Sequence, residues 1–104
     1  MAININWEDE NGKCLESWPG FTGKWDWYFM DYPQIDTTRC LGFIDHYGDT
    51  TFNQHQIPVL IEELKAYGET FKEDIGASDS LKSLVNFIQK AQGQIHTYIK
   101  FVGD

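Results

Sequence analysis

Between Arg39 and Leu64 the hydrophobic pattern changes period, and that change restricts the fold more than any other feature of the chain. The run reads RCLGFIDHYGDTTFNQHQIPVLIEEL. Its first part, Arg39 to Asp45, has the mixed apolar content of a strand. His46-Tyr47-Gly48-Asp49 has the composition of a tight turn, with Gly48 available for a positive φ. Thr50 to Asn53 reads as the returning, paired strand. From Ile57 the apolar residues recur at spacings of three and four: Ile57, Leu60, Ile61, Leu64, Tyr67, Phe71 and Ile75. That is the apolar stripe of a helix. Pro58 suits its first turn, where an N–H has no helical partner to lose. The stretch is therefore expected to be a hairpin feeding a helix.

The flanking sequence adds strands before it and a helix and a strand after it. Ile3, Ile5 and Trp7 alternate with Asn4 and Asn6, as in a half-buried strand. Asn11-Gly12 is a turn dipeptide. Ser17 to Gly23 is expected to be an irregular loop that tucks Trp18 and Phe21 against the sheet. Lys24 to Met30 reads as a strand, with Trp25, Trp27 and Phe29 on one face and Asp26, Tyr28 and Met30 on the other. Asp31 to Thr38 reads as a loop. Gly76 is expected to end the first helix. Ser78 or Asp79 is expected to cap a second, whose stripe is Leu81, Leu84, Val85, Ile88 and Ala91, with Gly93 closing it. Gln94 to Val102 alternates as a last strand, with Ile95, Thr97, Ile99 and Phe101 sharing a face.

Strands followed by helices indicate α+β. The expected architecture is an antiparallel sheet of about five strands, with two consecutive helices on one face and a C-terminal strand inserted beside an earlier one. Residues 1–104 read as a single domain.

Charge narrows the function. Sixteen acids against eight bases give a net charge of −8. Nucleic-acid binding needs a basic footprint to displace counterions, and an anionic membrane surface needs the same sign. Neither is expected. A basic protein partner is, because opposite charge steers encounter. No apolar run is long enough to span a bilayer, and MAININWEDENG has no basic region and apolar core of a signal peptide. A cytoplasmic protein with reduced thiols is expected. Cys40 reads as a small buried hydrophobe and Cys14 as a surface residue.

No catalytic signature is present. Asp45, His46, Asp49 and His55 come nearest to a metal or acid–base cluster. However, Asp45 and His46 are neighbours at a strand end, where side chains diverge, and Asp49 has a local task in a turn. GxSxG, GxGxxG and GxxxxGK[ST] are all absent. The expectation is no catalytic residue, no metal, no cofactor and no enzyme. A hydrolase using Asp45, His46 and Asp49 is the weakest alternative. The binding candidates are Glu62, Glu63 and Glu69 on the polar side of the first helix, and Asp26 and Asp31 around the aromatic strand. Asp49 at the hairpin tip, with Tyr28 and Tyr47 as aromatic anchors, completes the set. The plain alternative for the helix acids is a solvated face.

The run FIDHYGDTTFNQHQIPVLIEEL, Phe43 to Leu64, resembles a family of small bacterial proteins with the pattern FIDxYGDTxFNxxQ followed by an apolar-acidic helix. HTYIKFVGD, His96 to Asp104, is similar to the closing strand of that family. Small acidic proteins of this kind resemble bacterial toxin immunity proteins, including those of contact-dependent growth inhibition systems. The resemblance implies a cytoplasmic immunity protein that neutralises a cognate toxin domain, basic and of nuclease type. The residues leave open a second reading: a non-catalytic ligand- or protein-binding regulatory module, with an aromatic pocket built from Trp18, Trp25, Trp27 and Tyr28.

Overall fold

The computed structural model describes residues 4–18, 39–45, 48–69, 73 and 75–103, with the side chains of 75 and 77 excepted. Its elements are β1 (Asn4–Asp9), β2 (Cys14–Trp18), a 3-10 turn (Leu41–Phe43), β3 (Asp49–Phe52), α1 (Ile57–Glu69), α2 (Ile75–Gln89) and β4 (Thr97–Val102). The fold is α+β: an antiparallel four-stranded sheet in the order β2-β1-β4-β3, with two helices. The last strand lies between β1 and β3, inserted beside earlier strands as its sequence implied. The expected strand Lys24 to Met30 and loop Asp31 to Thr38 lie outside the described residues.

Alternation fixes which face of the sheet is buried. Ile5 is opposite Phe101, and Trp7 is opposite Ile99. On the other side of β4, Phe52 is opposite Ile99 and Thr50 opposite Phe101. Ile5, Ile99, Phe101, Phe52 and Trp18 join one apolar cluster with Leu60, Leu64 and Tyr67 of α1 and Leu81, Leu84 and Ile88 of α2. Phe52 and Phe101 meet edge to face, with centroids 5.6 Å apart, a favoured aromatic geometry. The alternate residues Asn6, Ser17, Tyr98 and Lys100 line the opposite, more exposed face.

β2 occupies part of what the sequence presents as loop. The turn before it is tied by Asp9, whose Oδ1 accepts the N–H groups of Asn11 and Lys13, both at 2.9 Å. Gly12 takes φ +80° there, which only glycine adopts freely. The β1–β2 register slips between Trp7 and Glu8, leaving Leu15 as an extra, exposed residue. Such a bulge twists a strand and interrupts its ladder. It also breaks the alternation by which the sequence would reveal the strand.

Three expectations are corrected. Arg39 to Asp45 is not a strand: it bends, makes the 3-10 turn, and leaves β3 to pair with β4 alone among the described strands. The backbone N–H groups of 39–41 are taken by a side chain of α1, so no ladder forms there. The first helix is described as far as Glu69, and Gly76, Ser78 and Asp79 lie inside α2 instead of ending one helix and capping the next. The apolar period runs on across the break, because a continuous stripe does not require a continuous axis. Ile95 is 68% exposed and not on the buried face, since His96 takes φ 59° and turns the chain before β4 begins. Four strands of the sheet are described, and the expected strand Lys24 to Met30, which bears on a fifth, lies outside the described residues.

α1 starts with a reciprocal cap. Asn53 Oδ1 accepts the N–H groups of His55 (2.9 Å) and Gln56 (3.1 Å). Gln56 Oε1 accepts the N–H of Asn53 at 2.9 Å. This is a capping box, with Asn and Gln in its two roles.

Gly48 and Gly103 interlock, and neither needs a positive φ. Gly103 N–H donates to the Gly48 carbonyl at 2.6 Å. A Cβ on Gly103 would lie 2.5 Å from Gly48 O, 2.7 Å from Asp45 O and 2.7 Å from Gly48 N. All three are backbone atoms, so no side chain can move aside. Gly103→Ala is expected to destabilise the fold by about 1–3 kcal/mol, the usual cost of forced overpacking. Urea unfolding measures it, and an unchanged midpoint would show that the 45–48 segment gives way freely.

Candidate partner-binding surface

The acids of α1 do not form one surface. Its buried residues are Ile57, Leu60, Ile61, Leu64 and Tyr67. Glu62 and Glu69 lie on the exposed side with Lys65 and Ala66. Glu63, one residue on and about 100° further round the helix, is half-buried and faces the 39–41 bend. Its carboxylate accepts the backbone N–H groups of Arg39 (2.6 Å), Cys40 (2.9 Å) and Leu41 (3.0 Å). Expected as a docking residue, Glu63 is here committed to holding a turn.

That clamp starts a tightly bonded segment. Cys40 is 3% exposed and Leu41 fully buried. Phe43 N–H donates to Cys40 O at 3.0 Å and Ile44 N–H to Leu41 O at 3.3 Å. Asp45 N–H donates to the Thr50 hydroxyl at 2.8 Å, and that hydroxyl reaches Phe43 O at 3.5 Å. The Cys40 thiol lies 3.7 Å from Gln56 O. Burial pushes this thiol above its usual range, the Glu63 charge adds to the rise, and Arg39 opposes it. A thiol held in its neutral form is a poor nucleophile. Cys14, by contrast, is exposed on β2.

Phe43 is where this segment meets solvent. It is 73% exposed, although the sequence presents it as a strand residue between two others. Nothing in its immediate sequence marks it out. Its exposure follows from the 3-10 turn, and the turn follows from a residue twenty positions away.

The remaining candidates are dispersed. Asp26, Tyr28, Asp31, Tyr47 and His46 lie outside the described residues. Asp49 is exposed on β3, with Oδ2 3.4 Å from Lys100 Nζ. Asp45 and His55 are exposed. Among the described residues, no three His, Cys, Asp or Glu side chains come together as metal ligands. Trp18 is only 5% exposed, and its indole N–H donates to Ser83 Oγ of α2 at 3.1 Å. It is therefore part of the core, with an edge lining the groove between α2 and β2; Trp25, Trp27 and Tyr28, the other residues of the expected aromatic pocket, lie outside the described residues.

Two grooves flank α2. One, of about 480 Å³, runs between the helices over Leu64, Leu81 and Val85, with Lys65, Glu69 and Lys82 at its rim. The other, of about 460 Å³, separates α2 from β2. Lys90 bridges it to Glu16 at 2.8 Å. Each mixes both signs of charge, and neither gathers a set of reacting groups. No described helix is long and apolar enough to cross a membrane. The chain matches no protein-family model, no curated protein and no solved structure.

Proposed function

We propose that the chain is an immunity protein of the bacterial cytoplasm, which neutralises a cognate toxin domain by binding it and catalyses nothing itself. The toxin domain is basic and of nuclease type. The observation that carries this reading is the net charge of −8, much of it on exposed carboxylates such as Glu10, Asp45, Asp49, Glu62 and Glu69. A nuclease cleft is basic because it holds phosphates. An acidic domain covering it replaces the nucleic acid and associates fast. The resemblance of Phe43 to Leu64 points the same way. The exposed ridge with Glu62 and Glu69 supplies steering charge, whereas Glu63 supplies structure.

The test is co-production with the toxin domain encoded beside the gene. A stable complex and restored growth are expected, and neither a complex nor rescue would refute the reading. The double substitution Glu62→Lys, Glu69→Lys changes the charge by four. It should slow association about tenfold at low salt, within the range attributed to electrostatic steering, and flatten the salt dependence. Stopped-flow mixing at two ionic strengths reads both effects.

A further inference from the structure

We propose that Phe43 is the anchor by which the chain docks on its basic partner, with the carboxylates of Asp45 and Asp49 as an acidic rim. The partner's identity rests on the immunity reading above; the location of the surface rests on the geometry of the turn. At 73% exposure, Phe43 stands further into solvent than the other exposed large apolar side chains described, Ile95 at 68% and Leu15 at 47%. Ile95 lies in a turn beside His96, and Leu15 is the extra residue of a bulge. Phe43 sits on a segment tied to both α1 and β3.

That support is a chain of bonds. The Glu63 carboxylate holds three successive N–H groups before it. The Phe43 N–H is closed onto Cys40 O. The Thr50 hydroxyl joins the Phe43 carbonyl to the Asp45 N–H. Leu41 and Ile44, on either side, are buried. A backbone held this way gives up little further freedom on binding, so more of the contact energy of the side chain it carries appears as affinity. Aromatics are enriched in the centres of interfaces, where charged groups are depleted.

The rim determines the partner's chemistry. Asp45 lies two residues from Phe43 and is tied to the same Thr50 hydroxyl; Asp49 precedes that threonine. Both are exposed. Asp49 already shares Lys100, so it contributes field more than a new pair. The complementary surface is an apolar pocket edged by arginine or lysine. An arginine there could also stack on the Phe43 ring, and an acidic surface would be repelled.

Phe43→Ala and, as control, Ile95→Ala are titrated with the toxin domain encoded beside the gene, after unfolding curves show both variants folded. A loss of tenfold or more for Phe43→Ala with none for Ile95→Ala supports the anchor, and equal affinities overturn it. If the wild-type chain does not bind that domain, the immunity reading falls while the surface is still decided. A random peptide library is selected on the wild-type chain. Enriched peptides that are basic and lose binding to Phe43→Ala support the proposal. It is overturned by no enrichment, by peptides without net positive charge, or by undiminished binding to the variant. A wild-type dimer that Phe43→Ala converts to monomer in sedimentation also overturns it, because a second copy is then the occupant.

Discussion

Phe101→Ala is expected to cost about 3–5 kcal/mol, the range for truncating a fully buried phenylalanine. Phe101 has no exposed surface and sits on β4, with neighbours on both sides of its strand. Ile5 of β1 and Thr50 of β3 are its cross-strand partners, and the Phe52 ring packs edge to face on it. Truncation removes the transfer free energy of the ring, the aromatic pair and the filling of a space walled by three strands. Secondary structure hydrogen-bonded on both sides cannot collapse inward to close the cavity. A domain of this size has only about 5–15 kcal/mol of total stability, so the variant should be unfolded or nearly so at 37 °C. The same chemical change at Phe43, which is 73% exposed, should fall within about 0.5 kcal/mol, as surface substitutions do. Chemical denaturation of the pair gives the comparison. A loss below 1 kcal/mol at Phe101 would mean that β4 is not the centre of the sheet.

Residues in the sequence carried that contrast unevenly. The alternation of Thr97, Ile99 and Phe101 is visible along the chain because β4 is regular and buried on one face. The stripes of α1 and α2 are visible for the same reason at their own period. What local pattern could not show was where the chain departs from a period for a tertiary cause. Leu15 breaks the alternation of β2 at a bulge, so a strand reads as loop. Residues 39–45 look extended because they are apolar and mixed, yet their amides answer to Glu63 on α1. Asn53 and Gln56 carry a cap signal in plain sight, but it is masked by the apparent strand ending at Asn53. The candidate surface suffered most. Glu62 and Glu63 are neighbours with identical side chains, and only the helical turn between them separates a solvent-facing charge from a structural one.

Glu63→Ala tests that separation directly, and a loss of about 2–4 kcal/mol is expected. Hydrogen bonds to a charged acceptor are worth about 1.5–3 kcal/mol each, and a buried donor left without a partner costs about 1–3 kcal/mol. Of the three donors, Arg39 N–H lies in an exposed setting and can turn to water. Those of Cys40 and Leu41 are partly buried, beside side chains almost fully removed from solvent. Two unpaired donors set the scale, and water entering behind the missing carboxylate keeps the total below a simple sum. Glu63→Gln separates geometry from charge. Its Oε1 still accepts from Cys40 and Leu41, but its NH₂ cannot accept from Arg39, so about 1 kcal/mol should be lost. Glu62→Gln, one residue earlier and exposed, should leave stability within about 0.5 kcal/mol of wild type. Unfolding curves rank the three. A Glu63→Ala variant no less stable than Glu62→Gln would mean that the clamp contributes nothing. In that case the 39–45 turn, and the presentation of Phe43 with it, would have to be held by the Thr50 hydroxyl and the burial of Leu41 and Ile44 alone.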